Sequence, residues 1–150
     1  MLSNPSPVDI QSVLFKNVHI FDGTSKLSAN SSVLVVGNKI STISIAAITA
    51  PDGTLVIDGG GKTLMPGLID NHTHLFMAGS SQAQMMDPKA TYEALEATAA
   101  KEAELMLLRG FTSARDVGGP VFGIKQAIDQ GKAMGPRIYP SGALISPNFR

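Results

Sequence analysis

The chain has 150 residues, with 12 Lys plus Arg balanced by 12 Asp plus Glu, and 43% of it is hydrophobic. That balance creates no field for nucleic acid or an anionic membrane surface, so neither is an expected partner. Cysteine is absent, which excludes disulfides, thiolate nucleophiles and Cys-ligated metals, and no stretch reaches the roughly 18 apolar residues of a membrane span.

Residues 1–9 contain two prolines and read as a flexible arm. They have neither the basic region nor the apolar core of a signal peptide, which makes the cytoplasm the expected compartment. Residues 13–21 then read as a strand closed by Asp22-Gly23-Thr24. Strands over 32–36 and 39–45 flank Gly37-Asn38, a two-residue hairpin turn, and a short strand over 54–58 precedes Gly59-Gly60-Gly61. This density of strands and turns over 10–63 predicts part of a small β-sandwich. His19 is expected as a half-exposed sheet residue.

Next comes Thr63-Leu64-Met65, broken by Pro66-Gly67 and resumed as Leu68-Ile69-Asp70-Asn71-His72-Thr73-His74. It reads as a buried strand interrupted by a turn. In an extended strand alternate side chains share a face, so His72 and His74 point the same way with Cα atoms roughly 6.5–7 Å apart. That spacing suits two imidazoles on one metal ion, and the apolar lead is expected to hold them out of bulk water. Asp70 is expected on the same face but deeper, as a supporting hydrogen-bond partner and not a ligand. The structural alternative is a plain histidine pair at a strand end. Met77, Met85 and Met86 follow in an expected loop, where they either line an apolar pocket or, as the simpler role, pack against it.

From Asp87 the period changes. Tyr92, Leu95, Ala99, Ala103, Met106 and Leu107 share a helical face, with Asp87 or Thr91 as candidate caps and Gly110 as the stop. A strand over 111–117, a helix over about 121–130 and a strand over 137–144 complete a βαβαβ order, which predicts a parallel sheet. Asp116 ends the middle strand before Val117-Gly118-Gly119. Asp116 and Arg115 are candidate substrate contacts there; the alternative is that Asp116 caps the loop and Arg115 joins a structural pair. Asn71-His72-Thr73 and Asn30-Ser31-Ser32 match the glycosylation sequon, but a glycan on Asn71 would exclude a metal at His72, so the match is taken as accidental.

The decapeptide Pro66-Gly67-Leu68-Ile69-Asp70-Asn71-His72-Thr73-His74-Leu75 resembles the first metal-binding strand of the amidohydrolase superfamily. The stretches from Gly110 to Gly119 and from Gly135 to Gly142 are similar to the next two barrel strands of its imidazolonepropionase-like and prolidase-like branch. The resemblance implies hydrolysis of amide bonds in dipeptides, N-acyl amino acids or related compounds. It also implies a cofactor of one or two divalent ions, Zn²⁺ foremost, and a parent protein that is a homo-oligomer. In that family the other ligands and the proton-handling aspartate lie on later strands, so catalytic residues are expected beyond Arg150. The tail departs from the pattern, running Pro147-Asn148-Phe149-Arg150 where the relatives continue into a Gly- and His-bearing loop.

A complete (β/α)8 barrel needs about 250 residues. The expected architecture is therefore α/β, with the partial sandwich over 10–63 followed over 64–150 by the first three βα units of an incomplete TIM barrel. An open sheet of this kind exposes apolar faces and edges. The chain alone is expected to bind metal weakly and to be inactive. Two other readings stay open, a non-catalytic scaffold or interaction protein of the dihydropyrimidinase-related type and a truncated remnant.

Overall fold

A computed structural model describes residues 11–24 and 27–143. The arm expected over 1–9 and the strand end and tail expected from 144 onward lie outside the described residues. Two compact units divide the chain, Met1–Pro66 and Gly67–Arg150. The boundary expected between 63 and 64 therefore moves to Pro66. The physical reason is pairing, because Thr63 and Leu64 form a strand with His19 and Ile20 of the first unit.

In the first unit the apolar alternation yields one mixed sheet. β1 (Ser12–Phe21) pairs antiparallel with β2 (Leu27–Val36), which turns at Gly37-Asn38 into β3 (Lys39–Ser44). β4 (Leu55–Asp58) and β5 (Thr63–Leu64) both lie parallel to β1, giving the order β3-β2-β1-β4 with β5 also on β1. Leu14, Val18, Val33 and Leu34 are buried. β1 carries a bulge between Phe15 and Val18, with Asn17 at φ +54°, a conformation that Asn tolerates better than most residues. Its side chain reaches Asp58 Oδ1 at 3.3 Å, and the Gly60 N–H donates to the same oxygen at 2.8 Å. These bonds, Gly60 first, hold the Asp58 carboxyl below its ordinary pKa of 3.8. His19 is half-buried within β1, as expected.

The second unit is a three-stranded sheet in the order β6-β7-β8, parallel throughout. Its strands are β6 (Leu68–Thr73), β7 (Phe111–Asp116) and β8 (Arg137–Pro140). After β6 come two helices of one turn or so, α1 (Leu75–Gly79) and α2 (Gln82–Met86), and then α3 (Tyr92–Leu108). After β7 comes α4 (Phe122–Asp129). The Thr91 hydroxyl caps α3 by accepting from the Ala94 N–H, and Gly110 at φ +96° ends it, a conformation costly for any residue with a Cβ. The core gathers Ala99, Ala103 and Met106 of α3, Ile124 of α4, and Leu75, Ala114, Val121 and Ile138. Ala99, Ala103 and Met106 follow the i, i+4, i+7 spacing of one helical face.

The opposite side of this sheet is open. Ile69 is 65% exposed, and Leu68 and Tyr139 are exposed too. The expectation of a buried lead to the histidines is thus corrected, because among the described residues β6 is an edge strand and helices pack on only one of its faces. No helix among the described residues is long and apolar enough to cross a membrane.

Candidate metal centre

Gly67, the residue before β6, sits under a steric constraint. A Cβ at this position would lie 2.1 Å from Thr112 Cγ2 and 2.7 Å from Thr112 Cβ, so only glycine fits. Thr112 is crowded there because it is an extra residue in β7, the register running from Leu68↔Phe111 directly to Ile69↔Ser113. Further on the irregularity reverses. Asp70 pairs with Ala114 and Thr73 with Asp116, so β6 now carries the additional residue.

This second bulge decides which way the histidines face. Ala114 and Asp116 are two apart in β7 and both are buried, so they share the helix-covered face. Their partners Asp70 and Thr73 share it too, although they are three apart in sequence. His72 and His74, on either side of Thr73, therefore fall on the open face. The expectation that Asp70 lies on the same face as His72 is corrected by that inserted residue. Asp70 nevertheless supports the pair locally, because its Oδ1 accepts from the His72 backbone N–H at 2.9 Å.

The two imidazoles sit with ring centroids 5.4 Å apart and planes at 75°. Imidazoles sharing a tetrahedral ion through Zn–N bonds of about 2.0–2.1 Å have centroids roughly 5 Å apart, close to the spacing of this pair. His74 Nδ1 lies 3.2 Å from the Gly118 carbonyl oxygen. A carbonyl only accepts, so this bond places the proton on Nδ1 and leaves the Nε2 lone pair for a metal. Such fixing of the tautomer by a backbone carbonyl is how ligating histidines are commonly oriented. His72 is exposed and His74 half-buried. Among the described residues no three His, Cys, Asp or Glu side chains are placed to hold a metal together. Catalytic zinc takes three protein ligands, so these two imidazoles do not by themselves make up such a set.

Asp116 is fully buried. Its Oδ2 accepts from the Leu75 N–H at 2.8 Å and its Oδ1 from the Gly118 N–H at 3.1 Å. Both oxygens thus serve backbone groups, one at Leu75 next to His74 and one at Gly118 in the loop after β7, which is the arrangement of the capping alternative. Arg115, between two inward residues of β7, points to the open face and donates from Nε to the Asn71 carbonyl at 2.7 Å. Its expected ion-pair alternative is replaced by this bond to backbone. Sequence reasoning missed the roles of Gly118 and Asn71 because carbonyl partners carry no side-chain signature.

The expected loop after the histidines is α1 and α2, and the three methionines are exposed instead of packed. Met77 borders an apolar groove of about 660 Å³ with Phe76, Tyr92, Pro120 and Phe122.

The sequence profile of the Amidohydrolase family matches residues 63–148. The 5-methylthioadenosine/S-adenosylhomocysteine deaminase of Carboxydothermus hydrogenoformans is 34% identical over 80 residues, 50% of this chain and 18% of that protein. The imidazolonepropionase of an Arthrobacter species is 35% identical over 63 residues, 42% of this chain and 16% of that protein. Among solved structures, a Xaa-Pro dipeptidase with methionine bound in its active site superposes with a TM-score of 0.77 at 32% identity, covering 90% of this chain and 34% of that one. The chain thus spans about a third or less of the length of these relatives.

Proposed function

We propose, on the premise that this chain belongs to the amidohydrolase family, that His72 and His74 are the first metal ligands of a hydrolase acting on carbon–nitrogen bonds. The observation that carries this reading is the imidazole pair at 5.4 Å, with His74 Nδ1 committed to the Gly118 carbonyl. On this reading β6, β7 and β8 with α3 and α4 are the opening units of a (β/α)8 barrel, whose active sites gather at the C-terminal ends of the strands. His72 and His74 stand at that end of β6. The five strands of the first unit are then part of a small β-sandwich.

The substrate class is an amide, with dipeptides and N-acyl amino acids as first candidates. The likeness to a Xaa-Pro dipeptidase supports it. When bound, a divalent ion, Zn²⁺ by its match to imidazole donors, supplies a Lewis acid for the scissile carbonyl and lowers the pKa of water. This chain's own residues prepare for that. His74 presents Nε2, the Asp70 carboxylate holds the His72 N–H, and Asp116 holds the backbone beyond His74. Two imidazoles alone hold an ion weakly, so the 150-residue chain by itself binds metal loosely and does not turn over substrate.

The test is metal analysis of the protein purified from its native source, with hydrolysis assays on Xaa-Pro dipeptides and N-acyl amino acids. One or two divalent ions per chain, with amide hydrolysis abolished by chelation and by His72→Ala, is the expected result. Hydrolysis that persists in His72→Ala, or a metal content that His72→Ala leaves unchanged, overturns the reading.

A further inference from the structure

We infer that Arg115 is a positioning residue for the histidine pair, acting through the Asn71 carbonyl, and not a substrate contact. The inference rests on the reading of His72 and His74 as metal ligands. β6 carries one more residue than β7 between Asp70 and Thr73, so Asn71 and His72 together face a single partner position, that of Arg115. At such a bulge the ladder is interrupted and a peptide group loses its regular partner. The Arg115 Nε–H supplies that partner at 2.7 Å. The carbonyl it holds belongs to the peptide unit whose nitrogen is that of His72. That nitrogen in turn donates to Asp70 Oδ1 at 2.9 Å. One peptide plane is therefore clamped from both ends, its oxygen by Arg115 and its N–H by Asp70. A planar peptide held at both ends is restrained against rotation, and its orientation sets the direction in which His72 leaves the strand.

Charge alone argues that arginine is a poor neighbour for a cation site. Arg115 projects on the same open face as the imidazoles, and its guanidinium repels a divalent ion there. A residue kept only for surface charge would weaken metal binding, whereas a positioning donor strengthens it. The two roles have opposite signs, and they separate chemically. Glutamine carries an amide N–H after Cβ, Cγ and Cδ, the same place along the side chain as the arginine Nε, without the charge. Methionine puts a methyl group there and offers no donor.

The experiment compares Arg115→Gln and Arg115→Met with the unaltered chain by two readouts. One is the set of NMR cross-peaks between the His72 and His74 ring protons in the metal-free protein, and the other is Zn²⁺ affinity by calorimetry. The expected result is that Arg115→Gln keeps the ring contacts and binds Zn²⁺ as tightly as the parent or more so. Arg115→Met loses the contacts and binds about ten-fold more weakly, the range seen when the partner of a metal ligand is removed. Ring contacts and affinity preserved or raised in Arg115→Met overturn the inference. If Arg115→Met does not fold, Arg115→Gln decides by itself, since loss of the contacts in a folded Gln variant also overturns it. If the unaltered chain shows ring contacts but takes up no Zn²⁺, the metal reading falls, and the Arg115 inference is still decided by the cross-peaks.

Discussion

The Asp116 carboxylate and the Leu75 backbone N–H meet at 2.8 Å inside the second unit, joining the end of β7 to the first residue of α1. Because the other oxygen of Asp116 takes the Gly118 N–H, and the Gly118 carbonyl meets His74, one buried side chain orders both the turn that orients His74 and the chain that follows it.

Asp116→Ala leaves two buried N–H groups without acceptors. Hydrogen bonds to charged groups contribute about 1.5–3 kcal/mol each, so the expected loss is on the order of 3 kcal/mol or more. Urea unfolding followed by circular dichroism measures it. The His74 ring resonances should broaden or shift in the same variant under native conditions; unchanged stability and unchanged resonances would show that the carboxylate does not organise this corner.

Gly67→Ala drives a Cβ into Thr112, at 2.1 Å from its Cγ2. Overpacking of this kind costs about 1–3 kcal/mol. Thr112→Ala should recover part of that loss and no more, because the Thr112 Cβ itself lies at 2.7 Å. A double-mutant cycle on unfolding free energies reads the coupling, and simple additivity of the two changes would contradict the geometry.

His72→Ala and His74→Ala each leave one imidazole. Either change should reduce Zn²⁺ affinity by more than the 10–100-fold that follows loss of an outer partner. His19→Ala, in the other unit, should leave it unchanged. Calorimetric titration of the three variants checks the assignment, and an equal effect from His19→Ala would remove the special status of the pair.

Asp58 has a folded pKa below 3.8, held there by the Gly60 N–H and by Asn17. A depressed carboxylate contributes stability that is fully present above the unfolded pKa and is lost as pH falls through the folded one. The first unit should therefore unfold at constant urea concentration from neutral pH down to about pH 5, and more easily below about pH 4. Asp58→Asn retains a carbonyl acceptor for Gly60 and cannot titrate, so it should flatten part of that acid dependence. An unchanged acid limb in Asp58→Asn counts against this carboxylate as its source.

Much of this architecture could be read from local pattern. The apolar spacing of α3, the turn at Gly37-Asn38 and the βαβαβ order from β6 to β8 depend on residues a few positions apart, and such signals survive in one dimension. So does the His72-x-His74 spacing, because alternation along a strand is local. The five-residue helices α1 and α2 were illegible, being shorter than the window in which a helical period shows itself.

That two imidazoles stand together at the end of a strand is written in residues 72–74 alone, since period-two geometry follows from the backbone. Which face they occupy, and what holds them, is a property of the folded chain. The face depends on an extra residue in β6 relative to β7, a property of two strands in register and not of either one. The supports at Arg115, Asn71, Asp116 and Gly118 are hydrogen bonds across 44 residues or fewer of chain, mostly to carbonyl and amide groups that every residue carries. Such partners become specific only when folding brings them within 3 Å or so of each other.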